Sequence, residues 1–279
     1  MIRIGIVGTG GMAADRISAF KRIEEVSVSG IYSRSPEKAA GLCASAGADV
    51  YGKYSDLLAN CDAVVISTPN CTHSALASEA LAAGKHVLVE YPLCTGIEEA
   101  ESLREQAAGS AGVLMVGNTI IHEAMFEYLE RNLDRLGEVV SASSRVAFYG
   151  PENSGRWYMN KELSGPRFAT MHYHHIEYYK RFLGRVEWVA AEDQSVADEL
   201  RPGYDKFAGG TLFMGHERGG RSSIQWYLSS SGSGSPRGFW MTGTLASVTI
   251  TSQEAGRSQV VLDDGGAGRV ENIEDDWGV

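Results

Sequence analysis

The chain opens Met1-Ile2-Arg3-Ile4-Gly5-Ile6-Val7-Gly8-Thr9-Gly10-Gly11-Met12-Ala13, and this stretch decides the fold. Residues 2–8 form an apolar, β-branched run, and a helical pattern follows over about 12–23. Between them stands G-x-G-x-x-A, in the strand-to-helix setting that a dinucleotide fingerprint requires. Gly8 permits the tight turn, Gly10 lets a pyrophosphate approach the backbone, and Ala13 keeps the helix close to the strand. Phosphate oxygens would accept hydrogen bonds from the helix N-terminus. Gly8, Thr9, Gly10, Gly11 and Met12 are therefore candidate cofactor contacts. A plain βα connection is the other reading of such a turn.

Working outward, strand and helix patterns alternate. The expected elements are a strand over 26–32, a helix over 36–46, a short strand at 48–51, a helix at 55–59 and a buried strand over 62–67. A helix over 72–83, a strand over 85–90, a helix over 97–108 and a strand over 113–117 follow. Such alternation predicts a right-handed, parallel Rossmann sheet. From about 119 the pattern changes. A helix near 123–132 leads into a strand reaching Phe148, and β-rich segments follow at 186–193, 209–214, 222–228, 237–243, 246–251 and 258–262. The fold class expected is α/β: a dinucleotide-binding domain over 1–118, then an α+β domain over 119–279 with a large, mainly antiparallel sheet. Ser229–Ser235 reads as a Ser/Gly loop.

The second strand bears on the choice of cofactor. NAD-selective folds place an acid at its end to bond the ribose 2′-hydroxyl. Here the sequence is Tyr32-Ser33-Arg34-Ser35-Pro36, with no acid. Arg34 can stack on adenine and pair with a 2′-phosphate, with Ser33 and Ser35 as donors. NADP(H) is thus expected over NAD(H), unless Arg34 is only a solvated loop residue.

Composition bounds the rest. A chain of 279 residues with 43 % hydrophobic and 22 % charged residues can build a sizeable core. A formal net charge of -10 argues against nucleic acid or an anionic membrane as partner. No apolar run approaches the roughly 20 residues of a membrane-spanning helix. The first strand begins at residue 2, so no leader peptide is expected. Cys43, Cys61, Cys71 and Cys94 match no zinc or redox spacing and read as reduced thiols of a cytoplasmic protein.

Two further stretches carry chemistry. In Gly84-Lys85-His86-Val87-Leu88-Val89-Glu90-Tyr91-Pro92 a buried strand delivers Glu90 and Tyr91 to the carboxyl edge of the sheet, and Pro92 stiffens the turn. The second is Arg156-Trp157, followed by Ser164-Gly165-Pro166-Arg167-Phe168-Ala169-Thr170-Met171-His172-Tyr173-His174-His175-Ile176-Glu177 on a helix that ends at Gly184. Two histidines at i, i+3 can share a metal, but no cysteine or acid cluster beyond Glu177 joins them. No metal is expected.

These motifs resemble the glucose–fructose oxidoreductase/inositol dehydrogenase family (Gfo/Idh/MocA). Its strand-end motif is usually Glu-Lys-Pro; Glu-Tyr-Pro resembles the biliverdin reductase branch. The resemblance implies that Thr68, Pro69, Asn70 and His73, in a Thr-Pro-x-x-x-His loop, line the nicotinamide side of the cofactor together with Glu90, Tyr91 and Asn118. His73 has an alternative role in capping its own helix. On the later helix His174 falls on the family histidine, Glu177 on the second acid, and Thr170 where an aspartate usually stands. The family's aromatic-Asn-Arg-Arg run is replaced by Asn118-Thr119-Ile120-Ile121. With both the lysine and the aspartate gone, a polyol mechanism is weakened, and a flatter, more apolar substrate is implied.

The expected activity is NADPH-dependent transfer of hydride to a conjugated C=C, C=N or C=O of a small molecule. Tyr91 and His174 are the candidate catalytic residues. Tyr91 would be a hydrogen-bond donor or acid, helped by a nearby nicotinamide or histidinium charge, with solvent as the other proton source. Arg156, Trp157, Arg167, Thr170 and His174 are candidate substrate contacts, and Arg145 and Lys161 are further candidates for holding carboxylates. The alternatives are a sugar or amino-sugar dehydrogenase, a cyclic-imine reductase of the thiazolinyl type, and a regulator that binds NADP without turnover. A homo-oligomer formed through the C-terminal sheet is also implied.

Overall fold

The computed structural model describes residues 1–122, 124–165, 167–232, 237–252, 257–266 and 268–274, with the backbone alone described at 120–121, 167–173, 252, 257 and 274. The chain divides into two compact units, one of residues 1–117 with 162–166, the other of residues 118–161 with 167–279.

The first unit is a parallel sheet of six strands: β1 (Ile2–Val7), β2 (Val26–Tyr32), β3 (Asp49–Tyr51), β4 (Ala63–Ile66), β5 (His86–Glu90) and β6 (Leu114–Gly117). Their order is β3-β2-β1-β4-β5-β6. The winding therefore reverses between β1 and β4, and in open sheets of this kind ligands bind at that point, beyond the carboxyl ends of the strands. Five helices connect the strands: α1 (Gly11–Phe20), α2 (Pro36–Ala46), α3 (Tyr54–Ala59), α4 (His73–Ala82) and α5 (Ile97–Gly109). A parallel sheet is covered on both faces. One core gathers Ile6, Ala13, Ile17, Ile31 and Ala39 under α1 and α2. The other gathers Leu57, Ile66, Ala77, Val89 and Leu103 under α3, α4 and α5.

Local chemistry sets the helix ends. Ser35 stands at the N-cap of α2, Pro36 opens the helix, and Gly47 closes it in the left-handed region at φ 66°. The Glu99 carboxylate of α5 accepts the Thr95 and Gly96 backbone N–H groups at 3.0 Å each, satisfying donors at the helix start.

The second unit holds an eight-stranded sheet: β7 (Val139–Tyr149), β8 (Val186–Ala197), β9 (Asp205–His216), β10 (Arg221–Ser229), β11 (Arg237–Gly243), β12 (Ser247–Ser252), β13 (Arg257–Asp263) and β14 (Arg269–Glu274). The order is β14-β13-β12-β11-β7-β10-β9-β8. Its pairs are antiparallel except β7 with β10, which run parallel. Helices α6 (Ala124–Arg131), α7 (Leu133–Leu136), α8 (Lys161–Ser164) and α9 (Arg167–Leu183) follow in the chain, with residues 162–164 of α8 counted in the first unit. Tyr178, Tyr179, Phe182 and Leu183 of α9 and Met125 and Leu129 of α6 pack with Ile224, Phe239, Met241 and Ile250 of the sheet in one core.

The fold class matches the expectation. Strand β14 is an addition: its sequence, Arg-Val-Glu-Asn-Ile-Glu, lacks the alternation that marks a half-buried strand. Of the expected Ser/Gly loop, Ser229 ends β10, and 233–235 lie outside the described residues. No helix among the described residues is long and apolar enough to cross a membrane.

Candidate functional site

At the carboxyl edge of the first sheet, Gly8 turns the chain with φ at 118°. A Cβ there would stand 2.3 Å from the Ser67 carbonyl oxygen, so the turn requires glycine. The Gly8 N–H donates to the Tyr32 carbonyl at 3.0 Å, tying the ends of β1 and β2 together. A Cβ on Gly10 or Gly11 would meet nothing within 4 Å. The first intrahelical bond of α1 runs from the Ala14 N–H to the Gly10 carbonyl, so the amides before Ala14 begin the helix unbonded within it. Open space over such amides is an anion cradle. Met12 is exposed beside it.

At the end of β2, Ser33 Oγ accepts the Ser35 N–H at 3.1 Å, which folds the loop so that Arg34 stands exposed at its tip. Tyr32 turns inward and stacks on Tyr54, ring centroids 5.6 Å apart. The loop after β4 is braced internally. The Thr68 and Thr72 hydroxyls meet at 2.7 Å, and Asn70 is buried with its side-chain amide donating to the Ser164 carbonyl at 2.8 Å. Pro69 is half-buried between them. His73 is fully buried. Its Nδ1 lies 2.8 Å from the Pro92 carbonyl and its Nε2 2.8 Å from the Thr68 carbonyl. The imidazole thus ties the loop after β4 to the turn after β5, and its ring does not cap α4.

Strand β5 ends in Glu90, buried, and Tyr91, half-buried, before a cis peptide bond to Pro92. The Arg16 guanidinium Nε donates to Glu90 Oε1 at 2.6 Å, with the two side chains 18 % and 8 % exposed. Gly117 closes over this pair: a Cβ there would sit 3.1 Å from Glu90 Oε2 and 3.2 Å from Arg16 Nη2. Arg16 Nη2 and Ser67 Oγ are buried with no hydrogen-bond partner among the described residues. Buried polar atoms are almost always bonded, so two unmet ones in the unit that carries the glycine turn accord with a ligand or water held there.

The second unit carries the histidines. His174, 9 % exposed, has Nδ1 2.6 Å from Asn118 Oδ1. Asn118 follows β6 directly. Burial, reinforced by neighbouring His175, pushes the His174 imidazole down to about 3. His175 is pushed down to about 4 by burial and by the Arg237 charge. Its Nδ1 meets Ser144 Oγ at 2.6 Å, and Ser144 also accepts the Tyr179 hydroxyl at 2.8 Å. His175 therefore belongs to a polar network between α9 and β7. Both imidazoles are neutral at neutral pH, so neither provides the histidinium charge expected to assist Tyr91. No group of three or more His, Cys, Asp or Glu among the described residues can hold a metal ion.

Of the proposed substrate contacts, Arg156 is exposed, with Nε donating to the Glu152 carbonyl at 3.0 Å. Trp157 is half-buried, edge-on to Tyr158 at 5.7 Å. The side chains of Arg167 and Thr170 lie outside the described residues. Arg145 corrects an expectation. Strand alternation turns it away from Ser144, whose face packs on α9, and its guanidinium lies 5.7 Å from the Tyr227 ring centroid on the opposite face.

Residues 2–118 match the sequence profile of Gfo/Idh/MocA, described as an oxidoreductase family with an NAD-binding Rossmann fold. Over these residues the chain is similar to that family. Among curated relatives, 4-carboxy-2-hydroxymuconate-6-semialdehyde dehydrogenase of Sphingobium sp. is 33 % identical over 135 residues, covering 47 % of this chain and 43 % of the relative. The scyllo-inositol 2-dehydrogenase (NADP(+)) IolU of Bacillus subtilis is 32 % identical over 144 residues, 50 % of this chain and 43 % of the relative. These matches span under half the length of either relative. Over the whole chain the likeness is one of fold. Biliverdin reductase from Synechocystis sp., solved with biliverdin and NADP+, superposes with a TM-score of 0.88 at 22 % identity, covering 98 % of this chain and 84 % of that one.

Within the first unit, Arg16 is not among the site residues legible in the sequence. The signal was present: Arg16 interrupts the apolar stripe Ala13, Ile17, Phe20 of α1, where a charge needs a buried partner.

Proposed function

We propose that this protein is an NADPH-dependent oxidoreductase that reduces a conjugated C=C, C=N or C=O of a small organic substrate, after the manner of a biliverdin reductase. The observation that carries the reading is the end of β5, where Glu90 is held by Arg16 and the next residue is a tyrosine where the family usually has lysine. The residues fit a dinucleotide. The Gly10–Gly11 backbone leaves open space over the start of α1, and Ser67 Oγ has no hydrogen-bond partner among the described residues. Arg34, exposed with no acid at the end of β2, suits a 2′-phosphate.

When bound, the reduced nicotinamide supplies a hydride to the electrophilic carbon and remains as the oxidised cofactor. In this reading the Tyr91 hydroxyl donates a hydrogen bond to the far atom of the double bond, which takes up the displaced electron pair and then a proton. Neutral His174 is not the acid, so solvent supplies that proton through or beside Tyr91. The solved Synechocystis enzyme with biliverdin and NADP+ supports the substrate class.

A second reading, a dehydrogenase acting on a sugar hydroxyl, is favoured by neutral His174, since a base must be unprotonated to receive a hydroxyl proton. We further propose a homo-oligomer formed through the open face of the second sheet, where Trp188, Phe213 and Trp240 are exposed. Sedimentation measurements test this: a monomer at all concentrations refutes it.

The deciding assay follows NADPH oxidation with bilins, cyclic imines and keto-sugars side by side, and repeats it with NADH. Tyr91→Phe is expected to lower turnover with little change in NADPH affinity. An unchanged rate removes Tyr91 from the chemistry, and a clear NADH preference refutes the role given to Arg34. NADPH binding without turnover on any substrate leaves the regulator reading in its place.

A further inference from the structure

Tyr91 stands between two residues whose polar groups are tied to distant parts of the first unit. Before it, Glu90 Oε1 accepts a hydrogen bond from Arg16 Nε at 2.6 Å, with both side chains largely buried. After it, the Pro92 carbonyl meets His73 Nδ1 at 2.8 Å, and the same fully buried ring reaches the Thr68 carbonyl with Nε2 at 2.8 Å. Three successive residues are thus fixed at both ends, by partners 74 and 19 positions away. Gly117 of β6 pairs with Glu90 in the sheet and lies against both charged groups. A short charge-assisted bond shielded from water holds its geometry better than an exposed one.

We infer that Arg16 and His73 are positioning residues for the reduction: between them they fix the turn that carries Tyr91, and Arg16 ties that turn to the helix that receives the cofactor phosphates. The inference deepens the reductase reading given above and rests on it. Arg16 stands on α1, five residues after Gly11, which is about 7.5 Å along a helix. One rigid element therefore carries the anion cradle at its start and, through Arg16, the strand end that bears Tyr91. The imidazole makes the second link, from that strand end to the loop after β4, which the Thr68 and Thr72 hydroxyls close at 2.7 Å.

Neither residue needs to touch the substrate. Together they set where the phenol stands before cofactor or substrate arrives, and a misplacement of about 1 Å in such a group can cost about 100-fold in rate. A pair that serves stability alone makes a different prediction. Its loss would lower stability, and turnover would fall and return with stability. Positioning separates the two: stability can be restored while turnover stays low and cofactor affinity stays high.

The double variant Arg16→Met/Glu90→Gln in the full chain tests this, because it removes the pair without stranding a buried charge. Its Tm is expected to recover most of what Arg16→Met alone loses. Amide hydrogen exchange at residues 91, 93 and 94 is expected to quicken with no cofactor present. Turnover is expected to fall by about 10- to 100-fold while NADPH affinity stays within about threefold. His73→Gln, which keeps one side-chain donor, is expected to show the same exchange and the same split between turnover and affinity. Turnover that returns with stability in the double variant, or NADPH affinity that falls in step with turnover, overturns the role of Arg16. NADPH affinity that falls in step with turnover in His73→Gln assigns the ring to the cofactor and overturns its role at the turn. Unchanged exchange at 91, 93 and 94 in both variants overturns the fixed turn itself. An unsubstituted chain that oxidises NADPH with no bilin, cyclic imine or keto-sugar overturns the reductase reading alone, and the exchange measurement still decides the turn.

Discussion

Arg16 and Glu90 form a pair whose loss can be measured without knowing the substrate. Arg16→Met keeps the stem of the side chain and removes its charge, leaving the Glu90 carboxylate buried beside Gly117. Breaking a fully buried pair costs about 3–5 kcal/mol, whereas an exposed pair is worth about 0–1 kcal/mol. Arg16 retains 18 % side-chain exposure against 8 % for Glu90, so the cost straddles the lower end of the buried range, about 2–4 kcal/mol. At roughly 2–4 °C per kcal/mol for a domain of moderate size, a value of about 3 kcal/mol reads as roughly 6–12 °C in Tm. Glu90→Gln in the Arg16→Met background removes the stranded charge, and the double variant is expected to recover most of the loss. The resulting coupling is about 2 kcal/mol, which a double-mutant cycle by thermal and denaturant unfolding resolves. Arg131→Ala, which breaks the exposed pair with Glu127 on α6 (76 % and 55 % exposed), is the comparison and is expected to stay within about 1 kcal/mol. Additive single variants, or an Arg16→Met no more costly than Arg131→Ala, would refute the reasoning.

Gly8→Ala is expected to abolish NADPH binding and destabilise the first unit, because a Cβ at φ 118° would sit 2.3 Å from the Ser67 carbonyl; equilibrium binding by nucleotide fluorescence checks it, and near-normal affinity would count against the turn. Stability should fall on mild acidification. His174 and His175 have folded values of about 3 and about 4 against 6.5 for a free imidazole, so below pH 6.5 the unfolded chain binds more protons than the folded one. Their contribution is therefore complete above pH 6.5 and is lost as pH drops from there toward 4, by up to about 1.4 kcal/mol per pH unit for each histidine. Denaturant midpoints measured across that window should show the slope, and His175→Gln should roughly halve it; a flat profile would mean the rings are not held neutral.

What was legible in the sequence was what depends on near neighbours. The strand–glycine–helix opening, the Ser35-Pro36 start and Gly47 end of α2, and the burial of β5 each follow from a few adjacent residues, and the α/β class follows from their alternation. Strand β14 escaped because an edge strand needs only one covered face and tolerates Glu and Asn. The side-chain pairings within each unit escaped for a different reason. Arg16 finds Glu90 74 residues away, and His174 finds Asn118 56 residues away. Neither spacing has a local period, so periodicity alone could mark Arg16 only as a misplaced charge and His174 only as one of several helix histidines. The same limit bears on the helix histidines. From sequence, three histidines on one helix invite a metal reading. In the fold, His174 faces an amide and His175 a serine hydroxyl, and burial leaves both rings neutral. A histidine cluster on a core-facing helix thus argues for hydrogen bonding within the fold before it argues for charge.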